Sequence, residues 1–228
     1  MRTEKITAII LAGGVGRRMR AKVPKQFLKL SGEPIIIRAI GHFEKSPLIS
    51  DVIVVCHKGY TGKLKRLIKT AGIKKVSKVV EGGKTRQESS FLGIKSCAED
   101  TRYVLIHDAV RPFISSKIIS STLNAAKKTG ASCPVIDTED TIVVQKNNFI
   151  ESVPDRQRLK RVQTPQGFCY KTIYDAHAWA RENSIKNTTD DCSLIITKGA
   201  QVRLVKGSIL NIKITTQADL PNEQNKNQ

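Results

Sequence analysis

Short apolar runs recur along the chain, and segments with helical spacing separate most of them. A short apolar run bounded by glycine or polar residues is typical of a buried strand. The runs are Thr7–Leu11, Asp51–Cys56, Val76–Val80, Tyr103–His107, Ala131–Val135, Val202–Val205 and Asn211–Thr215. We therefore predict seven strands.

The segments between the first five runs repeat apolar residues every three or four positions, as amphipathic helices do. Residues 35–43, 64–71 and 118–126 show this spacing. Alternation of strand and helix predicts a mostly parallel sheet with helices on both faces, because the crossovers are right-handed. The expected fold class is α/β, a Rossmann-like three-layer α/β/α fold. Its ligands bind at the carboxyl ends of the strands, which Gly14, Gly82, Gly83 and Asp108 follow.

Residues about 137–160 interrupt this alternation with two short strand-like stretches around Lys146-Asn147-Asn148. This pattern predicts a β-hairpin. Two strands alone cannot bury its apolar side chains, so we expect a projecting arm that packs on a partner subunit. These side chains are Ile142, Val143, Val144, Phe149, Ile150 and Val153. We expect one domain, residues 1–220, with this arm inserted, followed by a disordered polar tail at 221–228.

Composition excludes some classes of protein and leaves others open. No run approaches the roughly 18 apolar residues that a membrane helix needs, so we expect no membrane span. The five cysteines form no Cys-x-x-Cys pair, and no signal peptide precedes the first apolar run, which favours a cytoplasmic protein. The net charge of +19 fits an enzyme of polyphosphates, a nucleic-acid binder or a binder of anionic membranes. No nucleic-acid-binding motif accompanies the charge, and 5% aromatic residues leave few stacking platforms.

A glycine-rich loop follows the first predicted strand, as Gly13-Gly14-Val15-Gly16-Arg17-Arg18. Backbone N–H groups of such a loop can approach phosphate oxygens closely, and arginine supplies further donors. The loop lacks the third glycine of the dinucleotide fingerprint. Gly83-Lys84-Thr85 imitates the end of a Walker A motif, but Lys78 stands where its first glycine belongs.

The glycine loop and Pro24-Lys25-Gln26 together resemble the start of the sugar-nucleotide pyrophosphorylase superfamily. Five further motifs narrow the resemblance to the methylerythritol phosphate cytidylyltransferase family, over roughly residues 5–220. They are Gly82-Gly83-Lys84-Thr85-Arg86-Gln87-Glu88-Ser89, His107-Asp108-Ala109-Val110-Arg111-Pro112, Gln163-Thr164-Pro165-Gln166, Thr189-Asp190-Asp191 and Asn211-Ile212-Lys213-Ile214-Thr215. The sister family that activates ribitol 5-phosphate shares some of these motifs and is the alternative. A nucleic-acid binder remains a distant one.

The resemblance implies a nucleotidyltransferase fold and transfer of a cytidylyl group from CTP to a polyol phosphate, with Mg²⁺ or another divalent ion as cofactor. It implies a homodimer that binds neither nucleic acid nor membrane. A phosphate monoester is largely dianionic at pH 7, so its attack on CTP needs no general base. Cations and positioning then supply the catalysis.

The resemblance also implies a role for each matching residue. Arg18 and Lys25 would stabilise the transition state, and Asp108 would meet the metal. The CTP site would contain Ala12, Gly13, Gly14, Gly16, Gly82, Gly83, Ser89, Asp108 and Lys213. The acceptor site would contain Asp108, Ala109, Arg111, Thr138, Arg156, Thr164, Thr189, Lys213 and Thr215. We expect His107 to support its strand rather than to react.

Two departures from the family pattern affect these assignments. The arm carries both Asp137-Thr138 and Asp140-Thr141, so either threonine could be the one that the family places in the acceptor site. Cys192 stands where a small residue such as alanine is usual. The resemblance further implies that Arg156 grips the acceptor phosphate across the dimer interface.

Overall fold

The computed structural model describes residues 4–14, 23–186 and 188–220, so Gly16 and Arg18 of the expected site lie outside the described residues. Within this part of the chain, strands and helices follow one another in a fixed order. They are β1 (Lys5–Ala12), β2 (Lys29–Leu30), β3 (Glu33–Pro34), α1 (Ile35–Glu44), β4 (Asp51–Cys56), α2 (Thr61–Thr70), β5 (Val76–Glu81), α3 (Arg86–Lys95), β6 (Thr101–Asp108), α4 (Ser116–Thr129), β7 (Ala131–Asp137), β8 (Val144–Lys146), β9 (Phe149–Ser152), β10 (Lys160–Val162), β11 (Gln166–Cys169), α5 (Tyr170–Glu182), α6 (Asp191–Thr197) and β12 (Arg203–Lys206).

Eight strands form the main sheet, in the order β10-β7-β11-β6-β1-β4-β5, with β12 also paired to β7. Strands β6, β1, β4 and β5 run parallel to one another. Strands β10 and β11 are antiparallel to their neighbours. The mostly parallel sheet is confirmed, although the antiparallel strand β11 between β6 and β7 was not predicted.

The core has two halves because successive side chains of a strand point to opposite faces of the sheet. Ile10 of β1 packs in one cluster with residues of α1, α2 and α4. Its neighbour Ile9 packs in a second cluster with residues of α3, α5 and α6. Helices therefore cover both faces, and the three-layer α/β/α architecture is confirmed. None of the described helices is both long enough and apolar enough to cross a membrane.

The predicted hairpin is present as β8 and β9, which pair antiparallel in a sheet of their own. Asn147 and Asn148 form the turn with φ of 49° and 66°. Both angles lie in the left-handed region that a type I′ hairpin turn requires, and asparagine tolerates it. Phe149 of the arm is 78% exposed and Ile150 is 66% exposed. The expectation that the hairpin cannot bury its own apolar side chains is confirmed.

The prediction of a seventh strand at residues 211–215 is wrong. This segment is irregular, and the backbone N–H of Ile214 donates to the carbonyl of Val110 at 2.9 Å. Asp219 accepts hydrogen bonds from the backbone N–H groups of Thr215 and Thr216 and from their hydroxyls. A side chain thus satisfies donors that a sheet ladder would otherwise use, and only Ile214 is buried within a core cluster.

Candidate active site

Four parallel strands end side by side at one edge of the sheet. Ala12 at the end of β1 is paired with Cys56 at the end of β4, and Cys56 is paired with Glu81 at the end of β5. On the other side of β1, Leu11 is paired with Asp108 at the end of β6. The register therefore brings the glycine loops and Asp108 to one edge, as the sequence indicates.

The start of the first glycine loop is held by Gln26. This side chain is 1% exposed, and its Nε2 donates to the carbonyls of Ala12 at 2.6 Å and Gly14 at 3.0 Å. The motif Pro24-Lys25-Gln26 thus fixes the start of the glycine loop through Gln26 and brings Lys25 close to it. Gln26 was quoted in the motif but was not predicted as a site residue.

Ser89 lies between the two glycine loops. Its hydroxyl donates to the carbonyl of Thr85 at 2.9 Å and accepts from the backbone N–H of Gly83 at 3.1 Å. A Cβ at Gly82 would lie 3.0 Å from this hydroxyl, and a Cβ at Gly13 would lie 3.2 Å from it. Glycine at these two positions allows the loops to approach Ser89 closely. The observed role of Ser89 is to fix the second loop.

Asp108 is the centre of charge at this edge. Lys213 Nζ lies 2.8 Å from Oδ2, Arg86 Nε lies 3.6 Å from Oδ1, and Arg111 Nε lies 3.9 Å from Oδ2. Burial by itself would raise the pKa of this carboxyl group, but Arg86, Lys213 and Arg111 lower the pKa well below its usual range. Asp108 is therefore ionised at neutral pH although its side chain is only 10% exposed.

His107 supports the strand end and is not placed as a base. Burial lowers its pKa to about 4, so the ring is neutral at pH 7. Nε2 lies 3.1 Å from the carbonyl of Arg111, which can only accept, so Nε2 carries the proton. Nδ1 then accepts from the hydroxyl of Thr164 at 2.9 Å, and this hydroxyl accepts from the backbone N–H of Asp108 at 3.1 Å. Both ring nitrogens are therefore hydrogen-bonded, Nε2 to Arg111 and Nδ1 through Thr164 to the backbone of Asp108.

Arg111 and Ala109 are parts of the site's framework. The guanidinium of Arg111 donates to the carbonyls of Asn211 at 2.7 Å and Val162 at 3.4 Å, and burial lowers its pKa from the ordinary value. Ala109 is fully buried, and its N–H donates to the carbonyl of Leu11 at 3.0 Å. These contacts anchor the irregular segment 211–215 beside the end of β6.

Two lysines meet on this segment. Lys25 Nζ donates to the carbonyl of Ile214 at 2.9 Å, next to Lys213, which contacts Asp108. Thr215 follows, and its hydroxyl donates to Asp219 at 2.7 Å. The structure thus brings Lys25, Lys213 and Asp108 together, although they are separated by more than 80 residues of sequence.

Thr138 and Arg156 form a separate group at the base of the arm. They line a cavity of about 430 Å³ with Asp137, Glu139, Gln157 and Lys160. Arg156 Nη1 donates to the carbonyl of Glu139 at 3.0 Å. Thr138 is buried, whereas Thr141 is exposed. Of the two candidate threonines, Thr138 is the one that shares a cavity with Arg156.

Two charged residues that sequence reasoning did not single out complete the arrangement. Arg86 Nη1 donates to Asp191 Oδ2 at 2.7 Å, and Gln166 links Asp190 and Asp191 through its amide group. Both charged residues stand in quoted motifs, so the signal was present. Thr189, an expected acceptor residue, lies just before this group and is exposed.

The described residues contain no cluster of three side chains that could hold a metal ion. Mg²⁺ commonly binds through one or two carboxylates and completes its shell with substrate phosphates and water. Asp108 fits that limited role, because Oδ1 has no donor closer than Arg86 at 3.6 Å among the described residues. A divalent ion here would be held by Asp108 and mainly by the triphosphate.

Comparison with known proteins supports the resemblance. The family model for 2-C-methyl-D-erythritol 4-phosphate cytidylyltransferase (IspD) matches residues 6–225. A relative of that name from Clostridium novyi (strain NT) is 40% identical over 219 residues, which cover 95% of this chain and 94% of the relative. Another from Geobacillus kaustophilus (strain HTA426) is 38% identical over 213 residues, which cover 93% of this chain and 92% of the relative.

Solved structures of the same enzyme family also resemble this chain. The 4-diphosphocytidyl-2C-methyl-D-erythritol synthase of Anaerococcus prevotii DSM 20548 superposes with a TM-score of 0.84 at 29% identity, covering 96% of this chain and 93% of that one. The 2-C-methyl-D-erythritol 4-phosphate cytidylyltransferase of Thermus thermophilus superposes with a TM-score of 0.76, also at 29% identity, covering 93% of this chain and 94% of that one. The predicted nucleotidyltransferase fold is confirmed. The chain belongs to the 2-C-methyl-D-erythritol 4-phosphate cytidylyltransferase family.

Proposed function

We propose that this chain transfers the cytidylyl group of CTP to 2-C-methyl-D-erythritol 4-phosphate. A phosphate oxygen of the acceptor attacks the α-phosphorus of CTP, a new P–O bond forms, and the bond to pyrophosphate breaks. The products are 4-diphosphocytidyl-2-C-methyl-D-erythritol and pyrophosphate. Beyond family membership, one observation carries this proposal: Lys25 and Lys213 converge on the same segment next to Asp108, at the edge where both glycine loops begin.

The absence of a general base from this mechanism agrees with the state of His107. The acceptor phosphate has a second pKa near 6 and attacks as a dianion. His107 is neutral, buried and hydrogen-bonded through both nitrogens, so it holds the end of β6 in place. The barrier arises from bringing two anions together, and cations lower it.

Arg18, Lys25 and Lys213 are the proposed cations. Lys25 and Arg18 would stabilise charge on the α-phosphate and the leaving pyrophosphate, and Lys213 would face the phosphates of both substrates. The loop Ala12–Gly16 would present its N–H groups to the triphosphate. When bound, Mg²⁺ would offset negative charge on the phosphates and hold them in one geometry, with Asp108 as its protein ligand.

The cytosine would lie against Gly82, Gly83 and Ser89. The hydroxyl of Ser89 is already bound to Thr85 and Gly83, so we assign it the role of holding the backbone that reads the base. Fixed backbone groups can distinguish an amino donor from a carbonyl acceptor, because the wrong base leaves buried groups unpaired.

The acceptor would be bound by residues of two chains. One chain would contribute Ala109, Arg111, Thr164, Thr189 and Thr215. Of these, Thr164 would act by orienting Asp108, and Arg111 by holding the segment that carries Lys213. Thr138 and Arg156 share a cavity at the base of the arm. In a homodimer, the exposed apolar arm would pack on the partner and carry Arg156 to the partner's acceptor phosphate.

We also propose that the enzyme works in the cytoplasm. Cys56, Cys97, Cys133, Cys169 and Cys192 are all free thiols. This state fits a reducing compartment.

The test is pyrophosphate release and product mass with CTP and one acceptor at a time. Three reactions are compared: 2-C-methyl-D-erythritol 4-phosphate, ribitol 5-phosphate, and no acceptor. We expect pyrophosphate and a cytidine diphosphate product only with the first. Product only with ribitol 5-phosphate would replace the acceptor in this proposal. No product with either would reject cytidylyl transfer altogether.

A further inference from the structure

Arg86, the first residue of α3, lies between two carboxylates of different elements. Its Nη1 donates to Oδ2 of Asp191 at 2.7 Å, and its Nε lies 3.6 Å from Oδ1 of Asp108. Asp108 ends β6 in the proposed active site, whereas Asp191 begins α6. The guanidinium is therefore bound closely to one carboxylate and faces the other across a longer gap.

Asp191 is fixed by several hydrogen bonds besides the one from Arg86. Ser90 Oγ donates to Oδ1 at 2.5 Å, and His177 Nε2 lies 3.0 Å from the same oxygen. The backbone N–H of Asp191 donates to Gln166 Oε1 at 3.1 Å. The carboxylate is 1% exposed, so it cannot exchange these partners for water. Asp191 is consequently a rigid anchor for the guanidinium.

We propose that Arg86 is a positioning residue for cytidylyl transfer: Asp191 holds its guanidinium, and Arg86 in turn orients the carboxylate of Asp108 against Lys213. This inference rests on the proposed function of the site. The unequal distances carry it, because they show that Asp191 binds Arg86 directly while Oδ1 of Asp108 lies beyond hydrogen-bond distance of the same guanidinium.

The electrostatics agree with this arrangement. Lys213 Nζ contacts Oδ2 of Asp108 at 2.8 Å, whereas Arg86 Nε faces Oδ1 at 3.6 Å. Arg86 therefore attracts the carboxylate of Asp108 from beyond hydrogen-bond distance. Arg111 also faces Asp108, but its guanidinium is committed to the carbonyls of Asn211 and Val162.

Removing the anchor should misplace Arg86. In Asp191→Asn the carboxamide no longer attracts the guanidinium, and the nearest remaining carboxylate is that of Asp108. Arg86 should move onto Oδ1, which then is no longer available for substrate or metal. In Arg86→Lys one ammonium group replaces a planar fork and cannot serve both carboxylates in the same way.

The experiment compares steady-state kinetics, CTP affinity by calorimetry and melting temperature in variants of the full-length enzyme. For Asp191→Asn and Arg86→Lys we expect kcat to fall on the order of tenfold, because a displaced group misaligns the reacting phosphates. The dissociation constant of CTP should stay within about twofold, since the glycine loops are untouched. Asp191→Glu keeps the negative charge, so its kcat should be much closer to that of the wild-type enzyme than the kcat of Asp191→Asn.

A matched control and a double variant separate positioning from general damage. Arg38 is an ion-paired arginine away from Asp108, and its side chain is 31% exposed against 25% for Arg86. Arg38→Gln should leave kcat unchanged. Arg86→Gln combined with Asp191→Asn should lose no more activity than Arg86→Gln alone, because residues that act as a unit are not additive.

Normal kcat in both single variants, with or without a lower melting temperature, would overturn the proposal. Weaker CTP binding at unchanged kcat would also overturn it, because Arg86 would then act on the base loop. Should Asp191→Asn fail to fold, Arg86→Lys decides by the same readout. Failure of the proposed function is distinguishable, because the wild-type enzyme would then form no cytidine diphosphate product.

Discussion

The sheet edge around Asp108 and the arm around Phe149 differ in how far contacts within one chain bury and hydrogen-bond their side chains. At the edge, Thr164, His107 and Arg111 are buried and hydrogen-bonded within the chain, and each fixes a neighbour. In the arm, two strands pair only with each other within the described residues, and Phe149 is 78% exposed. The edge is thus satisfied by contacts within one chain, whereas the arm leaves apolar surface uncovered, and this difference is the observation behind the proposed dimer.

The largest effect should come from the proposed catalytic cations. We expect Lys25→Ala and Arg18→Ala to lower kcat on the order of 100-fold or more, because each removes a positive charge from a transition state that gains negative charge. Steady-state kinetics measure kcat, and a melting curve checks that each variant is folded. Lys63→Ala is the control, since Lys63 lies over the ring of Phe27, and Phe27 ends the short 3₁₀ helix Lys25–Phe27 that Lys25 begins. Near-normal turnover in either variant would remove that residue from the mechanism.

The second expectation tests whether the edge reads the base. UTP should be used with a kcat/KM lower than that of CTP by on the order of 10- to 100-fold, since each mismatched buried polar group costs roughly 1–3 kcal/mol. The measurement compares both nucleotides at one acceptor concentration. Gly82→Ala should lower the kcat/KM for CTP below that of the wild-type enzyme, because its Cβ would lie 3.0 Å from the hydroxyl of Ser89. Equal kcat/KM for CTP and UTP would show that no cytosine-reading pocket exists.

The third expectation concerns the arm. Arg156→Ala should raise the KM of the acceptor about tenfold and leave the KM of CTP nearly unchanged, because it removes one charged contact to the acceptor phosphate. If Arg156 acts across a dimer, mixing this variant with Arg18→Ala at an acceptor concentration well below the wild-type KM should raise activity to about a quarter of wild type, since half of the dimers then contain one intact site.

Two results would contradict this shared site. One is a monomer by light scattering at the assay concentration. The other is a mixture whose activity stays at the mean of the two separate variants after subunit exchange has been verified by mass spectrometry of tagged chains. In that case Arg156 acts within its own chain, where it already contacts the carbonyl of Glu139.

More of the fold than of the candidate site could be predicted from the sequence. Periodicity predicted β1, β4 and β6 because their side chains are buried on both faces and read as continuous apolar runs. It failed at residues 211–215, where Asp219 and Arg111 satisfy backbone groups through side chains. Motifs placed Asp108 and Lys213 at the site, but no local pattern indicates that Arg86 is shared between Asp108 and Asp191. That arrangement depends on long-range packing of α3, α6 and β6.

The smallest expected effect concerns the segment that carries Lys213. Asp219 accepts four hydrogen bonds from Thr215 and Thr216, and these bonds lower its pKa to about 2. A depressed carboxyl pKa means that the stabilisation is present above the unfolded pKa of about 3.9 and is lost as the pH falls toward 2. Asp219→Asn should therefore lower the urea midpoint slightly at pH 7, and the difference from wild type should shrink between pH 5 and pH 3. Asp100→Asn, which removes an exposed ion pair with Lys5, is the control and should show little difference at any pH. If the effect of Asp219→Asn is the same at pH 7 and pH 3, the carboxylate charge does not stabilise this segment, and the position of Lys213 depends on Arg111 and Asn211 instead.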